Sequence, residues 1–181
     1  MKPIPPTLET NRLFLRKLKL EDTDDLFEYA SKPIVTQYIP WETHESILDS
    51  FVFLKDTIRD YDKGNYIWGI ELKENNKMIG TIGLHNLYLD ESRAEIGYTL
   101  SYLYWQKGLM TEALQSVCKY TFEQLGIKRL NANCNTENIA SIKLLQKIGF
   151  QQRTDRVLNL PIKDKISSFY LFLLNSDDKG K

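Results

Sequence analysis

Cysteine and histidine are nearly missing from this chain, which holds two cysteines, Cys118 and Cys134, and two histidines, His44 and His85, in 181 residues. Cys118 falls on an apolar helical face and Cys134 in a strand pattern, with no ligand set at metal-binding spacing, so a reduced protein without a metal site is expected. Neither histidine suggests a metal, and His85, at the end of a strand near the expected cleft, reads as structural. Charge of one sign is missing too: 24 basic residues balance 24 acidic ones, which gives no long-range field for nucleic acid or a membrane surface. No apolar run is long enough to span a bilayer, and Met1-Lys2-Pro3 is not followed by the apolar stretch of a signal peptide. A cytoplasmic protein with neither nucleic acid nor membrane as partner is expected. Internal repeats and linkers are absent, and the length suits one domain over 1–181, with a core of about 8–174 and a disordered tail over 175–181.

What is present centres on Trp105-Gln106-Lys107-Gly108-Leu109-Met110-Thr111-Glu112-Ala113. From Met110 the apolar residues Ala113, Leu114, Val117, Cys118, Thr121 and Leu125 follow a helical period that Gly126 stops. The stretch therefore opens onto a helix N-terminus, where the first N–H groups lack partners and the peptide dipoles leave a partial positive charge. Gly108 permits close approach of an anion, and Lys107 adds a full charge, so Lys107 to Thr111 read as a phosphate cradle. An ordinary strand-to-helix turn would have similar composition.

The flanking chain alternates sheet and helix. Arg12 to Leu18 reads as a strand. Asp22 is placed to cap a helix carrying Leu26, Phe27 and Ala30, which Lys32-Pro33 ends. After an aromatic loop over Thr36 to Trp41 comes a helix presenting Ile47, Phe51, Leu54, Ile58 and Tyr61 on one face. Tyr66 to Leu72 and Met78 to Leu84 form a hairpin through Asn75-Asn76. In the strand Ala94 to Leu100, Glu95 shares a face with Gly97 and Thr99; a glycine inside a strand marks close approach of other atoms. Ile127 to Cys134 is a strand reached by a parallel crossover. A helix follows from Asn138, ending in a left-handed Gly149. Polar Gln151 to Arg156 leads to a last strand, Ser168 to Leu174. Mostly hairpin-connected strands with one crossover give a mixed α+β sheet.

Two blocks carry a family resemblance. Trp105 to Ala113 resembles the acetyl-CoA loop of the GNAT N-acetyltransferases, most of all the RimJ/RimL-type branch that acetylates ribosomal proteins. Trp105 and Met110 depart from the wider consensus at its Gln/Arg and second small position. Asn138-Ile139-Ala140-Ser141 running to Lys147-Ile148-Gly149-Phe150 is similar to the family's second block. The resemblance covers roughly residues 8–174. It implies a mixed, mostly antiparallel sheet splayed at the cofactor cleft, with helices on both faces. It also implies acetyl-CoA as donor, bound by the main chain of Tyr98, Thr99 and Leu100, by Lys107, Gly108, Leu109, Met110 and Thr111 at the pyrophosphate, and by Asn138 and Ser141. Tyr38 and Trp41 fall in the region that overhangs the acceptor.

Direct acetyl transfer to a primary amine needs a neutral nitrogen and a departing thiolate. Glu95 is the candidate base. The tyrosine that many relatives place before the Gly-Phe is Leu145 here, so Ser141 is the candidate to protonate or orient the thioester sulfur. Asn138 is equally suited to cap its helix. The expected acceptor is a protein or peptide N-terminal amine. A small-molecule acetyltransferase acting on a polyamine, amino acid or antibiotic, or a non-catalytic acyl-CoA-binding module, are the alternatives, and a homodimer stays open.

Overall fold

The structure, a computed structural model, describes residues 5–63 and 66–178. Its strands are β1 (Leu8–Glu9), β2 (Leu13–Arg16), β3 (Tyr66–Leu72), β4 (Lys77–Tyr88), β5 (Arg93–Leu100), β6 (Arg129–Asn135), β7 (Gln151–Ile162) and β8 (Lys165–Asn175). The helices are α1 (Thr23–Ala30), α2 (Pro33–Thr36), α3 (Ile47–Arg59), α4 (Leu109–Glu123) and α5 (Ile139–Ile148). One sheet holds all the strands in the order β1-β2-β3-β4-β5-β6-β8-β7. Every neighbouring pair is antiparallel except β5–β6, the parallel pair joined through α4.

Alternation along the strands divides the core between two faces. Leu84, Ala94, Ile96 and Leu100 pack with Leu109, Ala113, Leu114 and Val117 of α4 and Leu145 of α5. On the other face Met78 and Leu18 pack with Leu26, Tyr29 and Leu54 of α1 and α3, with Trp41, Phe53 and Ile67 against them. Helices therefore cover both faces, as expected. Trp68, fully buried, meets Tyr120 edge-on at 5.9 Å between centroids, a favoured aromatic geometry.

The feature that shapes the site lies between β5 and β6. They pair only at Arg93↔Arg129, Ala94↔Leu130 and Glu95↔Asn131. Beyond that point β5 stays with β4 as far as Gly80↔Leu100, while β6 stays with β8 as far as Asn135↔Phe169. The two strands follow different partners, and the sheet opens between them.

Several expectations are corrected. The polar stretch from Gln151 is not a lead-in but the start of β7, a strand at the sheet edge whose first part is exposed, so burial imposes no alternation before Val157. Its partner β8 starts at Lys165 and runs to Asn175, and a 3₁₀ turn covers Ser176–Asp178. The first part of the expected disordered tail is thus ordered, and positions 179–181 lie outside the described residues. Asp22 makes no side-chain cap on α1. Its carboxylate is drawn to the Arg16 guanidinium and the Lys19 N–H, because a nearly buried charge needs its counter-ion. Pro33 opens the short α2 rather than only ending α1. In α3, Leu54 is buried, but Ile47 and Phe51 stand 48% and 38% exposed, so the apolar face is covered only in its second half.

Candidate active site

The donor loop is built by its neighbours. Gly108 adopts φ +75° and Gln106 φ +61°, and α4 begins at Leu109 with no side chain capping it. Leu109 and Met110 send their side chains into the core, and no side chain caps the first main-chain N–H groups of α4. Lys107 Nζ rests 5.1 Å from the centroid of the Tyr104 ring. Trp105 Nε1 donates to the Leu100 carbonyl at 2.8 Å, tying the loop to the end of β5. Arg12 Nη1 donates to the Lys107 carbonyl at 3.0 Å, and Arg12 Nε donates to Glu112 at 2.8 Å. Glu112 also accepts from the Arg12 N–H and from Thr10 Oγ1. Burial works against the Glu112 charge, but these bonds outweigh it and hold the carboxyl below its ordinary value. Arg12 and Thr10 were not among the expected site residues. They lie about a hundred positions from Glu112, and no local pattern could have shown them.

A cleft of about 480 Å³ passes through the opening between β5 and β6. Glu95, Gly97 and Thr99 line it from one face of β5, and Ile96 and Tyr98 from the other. Tyr38, Trp41, Asn138 and Ser141 line it as well, so it gathers both expected catalytic residues and both expected acceptor residues. The loop from Lys107 to Thr111 is not part of its lining. A donor would have to extend from the head of α4 along β5 into the cleft.

On the face toward α3, Glu95 pairs across the strands with His85. A bulge after His85 puts Asn86 at φ +48°, and its Nδ2 donates to Glu95 at 3.0 Å. The glycine at Gly97 has a physical reason: a β-carbon there would meet His85 Cδ2 and Nε2 at 3.3 Å. His85 thus belongs to the cleft wall. Desolvation holds its imidazole below the ordinary value, with Glu95 pulling the other way, so it is neutral at pH 7.

On the opposite face Ser141 and Tyr98 meet, hydroxyl to hydroxyl, at 2.8 Å. Burial raises the Tyr98 phenol, so it stays protonated, with the Ser141 bond acting in the other direction. Asn138 caps α5, its Oδ1 accepting the Ser141 N–H at 3.1 Å. The capping role is therefore real. Leu145 lines the cleft in place of a tyrosine, and Tyr98 supplies a phenol from the facing strand.

The aromatic loop expected to face the acceptor is held from behind. The His44 ring lies 5.2 Å from Trp41 and 6.0 Å from Phe53, and His44 Nδ1 bonds Ser50 Oγ at 2.7 Å. Lys163, at the turn between β7 and β8, donates to the Thr36 carbonyl at 3.1 Å and lies 3.8 Å from Glu42. The hairpin is pinned across the cleft from the aromatic loop. Among the described residues no cluster of His, Cys, Asp and Glu could hold a metal ion, and no helix is long and apolar enough to cross a membrane.

Residues 12–151 match the family model of the acetyltransferase (GNAT) domain. The chain is 38% identical over 148 residues to the uncharacterized N-acetyltransferase YoaA of Bacillus subtilis, covering 81% of this chain and 84% of that one. A GNAT-family acetyltransferase from Bacillus anthracis superposes with a TM-score of 0.84 at 25% identity, over 95% of this chain and 99% of the other. RimL, a ribosomal-protein α-N-acetyltransferase solved with coenzyme A, shares the fold with a TM-score of 0.81 at 17% identity, over 96% of this chain and 100% of that one. A sheet opened beside a glycine-headed helix, a carboxylate at the point of opening and a match over most of the length lead to one assignment: the chain belongs to the GNAT family and is an N-acetyltransferase.

Proposed function

We propose that the protein carries the acetyl group of acetyl-CoA directly to the α-amino group of a peptide or protein in a ternary complex. The observation that supports this most is the parting of β5 from β6 at the Glu95–Asn131 pair. It leaves main-chain groups of Ile96 to Leu100 without a β6 partner and sets a carboxylate where they begin. Acetyl-CoA supplies an activated thioester. Tyr98, Thr99 and Leu100 offer main-chain partners to its arm, and the amides from Leu109 to Thr111 face its pyrophosphate. Lys107 leaves the Tyr104 ring to add charge there.

Glu95 takes the proton from the incoming ammonium, directly or through a water, with Asn86 fixing its orientation. The freed nitrogen attacks the acetyl carbon and the carbon–sulfur bond breaks. A thiol of pKa near about 8.5 leaves readily as thiolate, so the Ser141–Tyr98 pair has only to orient the sulfur, and the further proton that the nitrogen loses as the amide forms balances the one the thiolate takes up. An α-amino group, with a pKa near about 7.7–8.0, is about a tenth neutral at pH 7, whereas a lysine amine, near about 10.4, is neutral less than a thousandth of the time. One carboxylate base suits the first nucleophile better, and the name of RimL describes the same class of acceptor. Glu95 in the cleft also speaks against a module that only binds acyl-CoA.

The test is thiol release with Glu95→Gln. Turnover at pH 7 should fall roughly a hundredfold or more, acetyl-CoA affinity should hold, and raising the pH should recover part of the loss. His85→Gln is the companion variant, since the neutral imidazole sits beside Glu95. A Glu95→Gln rate equal to the parent's at pH 7, with His85→Gln inactive, would move the proton to His85. Peptides with a free N-terminus should outrun the same peptides blocked there but carrying lysine.

A further inference from the structure

The acceptor side of the cleft is walled by Tyr38, Trp41 and Phe53 on one side, Ile67 below, and Leu160 and Ile162 of β7 on the other. Among the described residues lining the cleft, Glu95 is the one acid, and neither lysine nor arginine lines it. Lys163, which follows Ile162 at the turn after β7, is already engaged with the Thr36 carbonyl and Glu42. These walls are fixed in advance, because His44 backs Trp41 and Phe53 and the Lys163 bond holds the hairpin opposite.

Such a lining sorts amines by charge and by the group next to nitrogen. One ammonium is well served: ring faces attract a cation, and Glu95 receives its proton. A carboxylate beside the amine, as in a free amino acid, would lie against apolar walls with no counter-ion and with Glu95 as a like charge. A polyamine brings further ammonium groups, and the lining offers them no second acid. A large apolar substituent gains contact with the aromatic and aliphatic walls, a gain on the order of ten- to a hundredfold in affinity.

We infer that the acceptor is a singly charged amine carrying a bulky apolar group next to the nitrogen, and that amines with an adjacent anionic group or further cations are rejected. This rests on the acetyl-transfer reading above. A peptide beginning with leucine or phenylalanine and a free arylalkyl amine share that chemistry.

The experiment measures kcat/KM by thiol release with the full chain and acetyl-CoA. The probes are amidated tetrapeptides that differ only in a first residue of leucine, phenylalanine, serine or aspartate, together with 2-phenylethylamine, free leucine and spermidine. The leucine and phenylalanine peptides should exceed the aspartate and serine peptides by at least about tenfold, chiefly through KM, with free leucine and spermidine slowest. If 2-phenylethylamine matches the apolar peptides, the apolar group alone is recognised; if it lags them but exceeds spermidine, the following peptide is recognised too. Leu160→Lys, at a partly exposed position of β7, should lower use of the leucine peptide and raise use of the aspartate peptide, leaving the acetyl-CoA KM unchanged. Serine or aspartate peptides, free leucine or spermidine equalling the apolar probes would overturn the inference and leave acetyl transfer standing. No turnover of any amine by a chain that still binds acetyl-CoA would overturn both.

Discussion

Gly108 offers the sharpest test of the donor loop, because its two demands can be separated. Its φ of +75° lies in the left-handed region, where a β-carbon costs about 1–2 kcal/mol. Among the described residues, the one non-neighbouring atom such a carbon would meet within 4 Å is Arg12 Nη2 at 3.6 Å, an ordinary contact, so the cost of alanine is that of the backbone alone. For a chain of this length each kcal/mol lowers Tm by about 2–4 °C, giving a fall of about 2–8 °C for Gly108→Ala. Gly126 is the control: it has φ +67°, has nothing within 4 Å and lies past the other end of α4. Gly126→Ala should show a similar Tm loss with unchanged donor affinity. Gly108→Glu adds a carboxylate where the pyrophosphate is expected, and acetyl-CoA affinity should drop at least about tenfold, or about 1.4 kcal/mol. Calorimetry and thermal melts on the three variants decide it. If Gly108→Glu binds acetyl-CoA as the parent does while melting like Gly126→Ala, the donor does not sit on this loop.

Four further outcomes are expected. Ser141→Ala and Tyr98→Phe should each slow turnover less than Glu95→Gln does, since the thiolate leaves with little help; a larger loss in steady-state kinetics would rank the roles the other way. Trp41→Ala should raise the acceptor's KM more than that of acetyl-CoA. Arg16→Met strands Asp22 and Glu71, both nearly buried, and denaturant unfolding should show a loss of about 3–5 kcal/mol, whereas a loss below about 1 kcal/mol would mean the carboxylates find water. Because the Glu112 carboxyl is held below its ordinary value, its contribution is full at neutral pH and fades as pH falls below about 4.5. Tm of Glu112→Gln should therefore approach the parent's in acid and lie below it at pH 7.

What could be read from the sequence was what is local. The stop at Gly126, the left-handed Gly149, the Asn138 cap and the alternation of β5 each depend on residues a few positions apart, and each is found in the structure. The position of Glu95 beside a glycine was legible, but the reason for the glycine was not, because the His85 ring reaches it from another strand. The Tyr98–Ser141 bond spans 43 positions and the Arg12–Glu112 bonds span 100; such partners are chosen by topology, which periodicity does not encode. β7 was missed for a different cause. At the sheet edge it buries little, and of the polar stretch only Gln151 and Gln152 pair with β8 before the register breaks and resumes at Val157, so Gln151 to Arg156 carry the composition of a loop. Asp22 shows the limit of position-based rules: it stands at the cap position, yet Arg16 takes its carboxylate.

The divergence of β5 from β6 makes the sheet, without its donor, one strand short of closure at its centre. If the donor arm lies in the gap as proposed, it acts as added β structure, and saturation with acetyl-CoA should appear as resistance to amide hydrogen exchange along Ile96 to Leu100 and Ala132 to Asn135. Amides in the continuous part of the same strands, Arg93 to Glu95 and Arg129 to Asn131, should change least. Donor concentration would then bear on the durability of the fold as well as on the rate of acetylation.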